Sequence, residues 1–290
     1  MELKKSDCPV VLLWYGKPKL AMRALTAIAG LEEIDPDLVY CYDNGSEAAH
    51  GIEVRAAFPG FRHRAAAKNG GYAGGFNAAL AWAFADGHDH ALFLTSDTEP
   101  TPGALALCLD SAERFRADLI APQVRFRRPP HPLDAWGGFF DPAACQLGHY
   151  RAAPQADCLH GPWDYIPGTA LWLRRTAFET LGGVDETFFM YWEDADFCLR
   201  AHRAGLVLAR SPGVILHGGG ETCAKKPLYT TFYYLRNRIR FCRLHLSGRE
   251  REAGLMLLQK ELETLFERWS AHGDSLRCEY IPLLRQELAL

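Results

Sequence analysis

Ala91-Leu92-Phe93-Leu94-Thr95-Ser96-Asp97-Thr98-Glu99-Pro100 is the stretch that decides the fold class. A strand-like run leads into a turn that carries two carboxylates and closes on proline. Upstream, Val10-Val11-Leu12-Leu13-Trp14-Tyr15 is a continuous apolar run, as expected of a buried parallel strand. Between the two, Pro18 opens a helical pattern of Leu20, Ala21, Ala24, Leu25 and Ile28, stopped by Gly30. Residues 38–42 read as a second strand, ended by Asp43-Asn44-Gly45-Ser46, and Ile52-Glu53-Val54 as a weaker third. Residues 69–77 read as a glycine-rich loop continued by a helix over 78–85. A helix over 100–115 and a strand over 119–124 follow. Strands alternating with helices over the first 120 residues predict a parallel sheet covered by helices.

Residues 125–165 break this pattern. They are rich in Pro, Gly, His and aromatics with little periodicity, as expected of a segment that wraps a site. Beyond them the pattern predicts a strand over 169–174 and helices over 176–181 and 194–204. Short strands over 206–209 and 213–216 come next, then helix from 228 to the end with breaks at Ser247-Gly248 and near Gly273.

The 290 residues, 48% apolar and 23% charged, suit a soluble globular protein of one large domain or two small ones. A net charge of −3 argues against nucleic acid as the main partner. No apolar run approaches a membrane span, and the first residues carry no signal core. Nine scattered cysteines, none in a C-x-x-C pair, argue against a zinc ribbon or thioredoxin-type site and read as reduced, mostly buried thiols of a cytoplasmic protein. Arg236, Arg238, Arg240, Arg243, Arg249 and Arg251 crowd one stretch. They read either as a solvated helix face or as a site for phosphates or an anionic membrane surface. With Phe232, Tyr233, Tyr234 and Phe241, the stretch suits a membrane face or a homodimer interface.

Open parallel sheets place ligands at the carboxyl ends of their strands. Trp14, Tyr15, Asp43, the 69–77 segment, Asp97 and His217 all fall at or just after such ends. Asp97 and Glu99 suit Mg2+ or Mn2+, which share their shell with substrate phosphates; both positions also suit capping of the helix expected after Pro100. Glu193-Asp194-Ala195-Asp196 follows the apolar run Phe188–Trp192, which puts carboxylates at a core boundary where their pKa can rise. Asp196 and Arg200, spaced i, i+4, predict a structural ion pair and leave Glu193 and Asp194 for a cleft or a helix start.

Five motifs, in order, resemble the inverting family 2 glycosyltransferases, especially their rhamnosyltransferase-like branch. They are Tyr42-Asp43-Asn44-Gly45-Ser46, the stretch from Asn69 to Asn77, Leu94 to Pro100, Gly182 to Arg200, and His217-Gly218-Gly219-Gly220. Together they span roughly residues 8–245. The resemblance implies a GT-A fold, an α/β Rossmann-like transferase architecture with a mostly parallel central sheet and C-terminal helices. It implies a catalytic domain over 1–227, with a nucleotide-binding half over 8–124 and an acceptor-binding half over 125–227, and a helical extension over 228–290.

The same resemblance implies roles. Trp14, Tyr15, Asp43, Asn69, Gly71, Tyr72, Gly75, Asn77, Ser96 and Asp97 would bind a dTDP- or UDP-linked sugar. Asp97, His217 and Glu99 would hold Mn2+ or Mg2+. Asp194 would be the general base with Glu193 beside it, and Gly168, Thr169 and Trp192 would meet a glycan or lipid-linked acceptor at the inner face of the plasma membrane. Thr95, Ser96 and Val184 depart from the branch, where Asn, Pro and Phe are usual; Asp97 is intact. A nucleotidyltransferase of similar architecture would have no use for the Glu193-Asp194 base, and a degenerate binding protein would not need Asp97, Asp194 and His217 together.

Overall fold

The computed structural model describes residues 7–152, 156–219 and 228–289. In chain order its main elements are β1 (Val10–Trp14), α1 (Pro18–Ala29), β2 (Val39–Asp43), α2 (Ala48–Ala57), β3 (Arg62–Ala65), α3 (Gly71–Ala85), β4 (His90–Thr95), β5 (Thr98–Pro100), α4 (Ala104–Arg114) and β6 (Leu119–Phe126). Then come β7 (Leu133–Ala135), β8 (Gly138–Asp141), β9 (Gln146–His149), β10 (Asp164–Tyr165), β11 (Ala170–Arg174), α5 (Arg175–Leu181), α6 (Glu193–Arg203) and β12 (Leu208–His217). The chain ends in α7 (Leu228–His245), α8 (Gly248–Ala271), α9 (Ser275–Cys278) and α10 (Tyr280–Ala289).

One large sheet has the order β3-β2-β1-β4-β11-β6-β12-β5, with β7 on β6. The β3, β2, β1 and β4 strands are parallel, and so are β6 and β12. The β11 strand lies antiparallel between β4 and β6. It follows that β6 runs with β4, so the carboxyl ends of β1, β4, β6 and β12 and the start of β11 share one edge. One apolar core, with Leu25, Cys108 and Trp172, packs α1 and α4 on one face. The other, with Phe76, Phe197, Phe241 and Trp269, packs α3, α6 and the C-terminal helices on the opposite face. No described helix is long and apolar enough to cross a membrane. The eight described cysteines are free; Cys223 lies outside the described residues.

Several local expectations are corrected. Ile52-Glu53-Val54 is helical, within α2, where Val54 is buried and Ile52 exposed. The third strand is instead the polar edge strand Arg62-His63-Arg64-Ala65, which an apolar count cannot detect. The glycine-rich stretch is loop only to Gly70; from Gly71 it is α3. Its small residues let the helix lie close to the sheet: a Cβ on Gly75 would come within 2.7 Å of Leu13 Cδ1 and 2.8 Å of Asn44 Nδ2. The helix expected from residue 100 begins at Ala104, because Thr98–Pro100 pairs with Ile215–His217 as a strand. Neither Asp97 nor Glu99 therefore caps that helix. The strands expected over 206–209 and 213–216 are one strand, irregular between Arg210 and Val214. Segment 125–165 is not structureless: β8, β9 and β10 form a second sheet of order β10-β8-β9.

The arginine stretch divides: Arg249 and Arg251 are exposed, whereas Arg236, Arg238, Arg240 and Arg243 are engaged within the molecule. Arg238, 2% exposed, donates to the carbonyls of Cys145 at 2.5 Å and Ala144 at 3.0 Å, and pairs with Glu261 at 2.9 Å. Arg236 donates to the Thr187 carbonyl, Arg240 lies 3.6 Å from Asp185, and Arg243 donates to the Glu287 carbonyl at 2.6 Å. These guanidiniums fasten α7 to the rest of the molecule.

Candidate active site

A cleft of about 680 Å³ opens at the shared strand edge, between the ends of β1, β4 and β12 and the start of α6. Of the expected residues, Trp14, Tyr15, Asn69, Gly71, Tyr72, Ser96, Asp97, Gly168, Thr169, Trp192, Glu193, Asp194 and His217 line it. Asp43, Gly75, Asn77 and Glu99 are not among its lining. Asp43 accepts from the Ser46 amide at 2.8 Å and shapes its turn. Asn77 bridges α3 to the 184–186 segment: its side chain donates to the Val184 carbonyl and accepts from the Val184 amide, both at 2.9 Å. Asn44 organises the 69–71 segment, donating to the Gly71 carbonyl at 2.7 Å and the Asn69 side chain at 3.2 Å.

Asp97 and His217 stand together in the cleft. The Asp97 carboxylate accepts from the Thr95 hydroxyl at 2.9 Å, and its other oxygen lies 3.4 Å from His217 Nε2. The Asp97 carbonyl accepts from the Gly218 amide at 2.9 Å, which ties the two strand ends together. His217 Nδ1 lies 3.0 Å from Asp134, on β7. Burial pulls the imidazole pKa down, but hydrogen bonds to Asp134 and Asp97 outweigh it and lift it to about 9. Asp134 was not legible in the sequence: it lies in the irregular segment with no motif around it. Glu99 is held by Arg127 at 2.6 Å. The last residue of the His217-Gly218-Gly219-Gly220 motif lies outside the described residues.

The donor set fits a hard divalent ion. A metal-binding histidine commonly gives its second ring nitrogen to a carboxylate, which is how Asp134 meets Nδ1 and leaves Nε2 toward Asp97. No group of three or more side chains that could enclose a metal occurs among the described residues. Two protein donors suit Mg2+ or Mn2+, which fill their shell with water and phosphate oxygens.

The same cleft also holds Glu193 and Asp194, in the first turn of α6, where the helix dipole favours negative charge. Asp194 accepts from the Gly168 amide at 2.9 Å and the Ala195 amide at 2.8 Å. Burial raises its carboxyl pKa, and the two amides oppose that rise. Glu193 is 4% exposed, and its Oε2 has no hydrogen-bond partner among the described residues. Burial, then the charge of Asp194, pushes its carboxyl well above the usual range. The pair therefore titrates as a unit above the usual carboxylate range. Asp196 is structural, as expected: it meets Arg200 at 2.9 Å and, further, His245 at 2.8 Å. The wall beside the carboxylates is aromatic and comes from Tyr165, Trp192, Tyr229 and Tyr234, with Leu147 and His149 from the second sheet. Burial lowers the His149 pKa, which keeps the ring neutral.

Residues 10–182 match the profile of Glycosyl transferase family 2, well over half of the chain. The chain belongs to that family. Among curated relatives, an uncharacterized protein of Mycobacterium tuberculosis is 30% identical over 222 residues, 74% of this chain and 77% of its own length. The N-acetylglucosaminyl-diphospho-decaprenol L-rhamnosyltransferase of the same species is 27% identical over 246 residues, 76% of this chain and 78% of its own. Among solved structures, GalNAc-T7 with UDP, GalNAc and Mn2+ superposes with a TM-score of 0.61 at 13% identity, over 79% of this chain and 48% of that one. The mannosyltransferase PcManGT from Pyrobaculum calidifontis, in complex with GDP-Man and Mn2+, gives 0.57 at 13% identity, over 99% and 88%. The family 2 protein is thus a glycosyltransferase of GT-A fold, with the curled, mostly parallel sheet and C-terminal helices that the resemblance implied.

Proposed function

We propose that this glycosyltransferase moves a sugar with inversion from a nucleotide-diphosphate sugar to a hydroxyl of a glycan or lipid-linked glycan, and that it depends on a divalent metal. The observation that carries the proposal is the placement of Asp194. Its carboxylate is fixed by two backbone amides and faces the same cleft as Asp97 and His217. In this reading residues 8–124 bind the donor, and residues 125–227, with helices from the 228–290 extension, bind the acceptor. Trp14 and Tyr15, beside Asn69 and Gly71, receive the nucleotide. Asp97 and His217 would hold Mn2+ or Mg2+, which when bound neutralises the diphosphate as Lewis acid and template.

Asp194 accepts the proton of the acceptor hydroxyl as its oxygen attacks the anomeric carbon and the bond to the diphosphate breaks. The Gly168 and Ala195 amides hold the carboxylate in place. Tyr229 and Tyr234, both exposed at the cleft, offer flat faces on which a sugar ring can rest, and the buried Trp192 packs beneath Tyr234. The rhamnosyltransferase relative makes dTDP-rhamnose the first donor to test, and an N-acetylglucosaminyl diphospho-lipid the first acceptor. A lipid-linked acceptor would bring the enzyme to the inner face of the plasma membrane.

The test is a melting-temperature screen of dTDP, UDP, GDP and CDP with Mn2+, Mg2+ or EDTA, followed by transfer from the matching sugar nucleotide. A ligand of the native state raises the melting temperature by mass action. One nucleotide that stabilises only with metal, and whose sugar is transferred, supports the reading. No shift with any of the four sinks it.

A further inference from the structure

The segment that delivers Glu193 and Asp194 to the cleft has an unfavourable backbone. Phe189, Tyr191 and Trp192 have φ values of 64°, 69° and 74°, in the left-handed region that a Cβ disfavours. No glycine occurs from residue 188 to 194 to ease that conformation. Trp192 is also the N-cap of α6 and supplies no side-chain cap. A segment of this kind keeps its shape only if its surroundings over-determine it.

One side chain supplies most of that constraint. Asn237, fully buried on α7, directs its Nδ2 at the carbonyls of Phe188 at 2.7 Å, Met190 at 2.7 Å and Tyr191 at 3.0 Å. Three acceptors around one nitrogen fix the orientation of the amide, because its oxygen cannot donate. Asn237 Oδ1 accepts from Arg236 Nε at 3.0 Å, and Arg236 itself donates to the Thr187 carbonyl. The one carbonyl Asn237 skips, that of Phe189, accepts from the Ala73 amide at 3.1 Å, in the first turn of α3. Every carbonyl from 187 to 191 is thereby held from outside the segment, that of Thr187 by Arg236, that of Phe189 by α3 and the other three by Asn237.

We infer that Asn237 is a positioning residue for the catalytic carboxylates: its amide holds the left-handed 188–192 segment in the one conformation that aims Asp194 at the acceptor. The inference rests on the proposed role of Asp194. Asn237 touches neither substrate nor metal, so its removal should spare the donor site. An ångström of misplacement at a reacting group can cost about 100-fold in rate.

The experiment compares wild type with Asn237→Ala and Asn237→Asp; the latter keeps the shape but replaces the donor by an acceptor. Affinity for dTDP with Mn2+ is read by calorimetry, amide exchange of residues 187–196 by mass spectrometry, and transfer with dTDP-rhamnose and a short-chain N-acetylglucosaminyl diphospho-lipid. Both variants should bind dTDP within twofold of wild type, exchange faster at 187–196, and lose about 100-fold in kcat with little change in donor KM. A kcat within twofold of wild type in Asn237→Ala or Asn237→Asp overturns the inference, and so does nucleotide affinity that falls in step with kcat. Should Asn237→Ala fail to fold, Asn237→Ser, which retains one donor, must show an intermediate loss. If wild type transfers nothing, the proposed reaction fails by itself, and unchanged exchange at 187–196 in the variants then overturns the role of Asn237 separately.

Discussion

The two carboxylate sites of the cleft are held by opposite means. Asp97 sits just after a regular strand and is answered by side chains: a hydroxyl from Thr95 and an imidazole from His217, itself backed by Asp134. Asp194 sits after an irregular segment and is answered by backbone amides, with no cationic side chain on its carboxylate among the described contacts. One site concentrates charge of both signs, as suits a divalent ion on a diphosphate. The other surrounds its carboxylate with buried groups and backbone amides, which under the proposed function suits a group that takes a proton. Charge chemistry can be placed on strand ends, where a register fixes the distances. A base in apolar surroundings needs a backbone bent to reach it.

The sharpest way to break this contrast is Asp194→Asn. It should lower the transfer rate by about 1,000-fold or more, in the range of general-base removal, while affinity for nucleotide and Mn2+ stays within twofold. Rates from a transfer assay and affinities from calorimetry check it; wild-type turnover would dismiss Asp194 as the base. Asp97→Ala should do the reverse. It should weaken Mn2+-dependent nucleotide binding by tenfold or more, about 1.4 kcal/mol, and an affinity indifferent to both Mn2+ and the substitution would remove Asp97 from the metal site.

The pH dependence separates the two sites further. The raised pKa of the buried Glu193–Asp194 pair puts an acid limb on the rate, which should climb with pH as the pair ionises. His217 has a folded pKa of about 9, above its ordinary 6.5. Its pairing stabilises the metal-free fold fully below about pH 6.5 and is lost as pH rises through about 9. The melting temperature without metal should therefore fall across that window, and Mn2+ should bind more tightly there, with release of a proton at neutral pH. A melting temperature flat between pH 6.5 and 9.5, and equally flat in His217→Ala, would leave the imidazole without its assigned charge. The smallest effect belongs far from the cleft. Arg175 pairs with Asp89 at 2.5 Å, by the start of β4, and Arg175→Ala should cost under about 1 kcal/mol in denaturant titration and leave turnover unchanged.

The donor site was legible in the sequence because its information is local. Apolar runs of five or six residues mark β1 and β4, and Asp97 follows its strand within two positions. The edge strand β3 escaped because its residues are polar, and the strands of the second sheet because two to four residues carry no period. Glu193 and Asp194 stood out by composition, but what aims them did not. Phe189, Tyr191 and Trp192 have no sequence preference for positive φ, and their support comes from Asn237, far along the chain. One signal was present: Asn237 occupies the buried stripe of α7, four residues before Phe241, where a polar side chain must have a partner. Asp134 gave no such signal, since nothing in its surroundings repeats.

The reversed strand β11 has a further consequence, for how such an enzyme could change. The chain leaves the sheet at the end of β6 and returns at the start of β11, and both points lie on the cleft edge. The excursion over residues 127–169 thus begins and ends beside the reacting groups. Between Asp134 and Gly168, which it carries to His217 and Asp194, it can be lengthened, shortened or exchanged without altering the order or direction of a single strand of the large sheet. Under the proposed function, a graft within this segment that keeps Asp134 behind His217 and Gly168 on Asp194 is accordingly the most economical route to a new acceptor on an unchanged donor site.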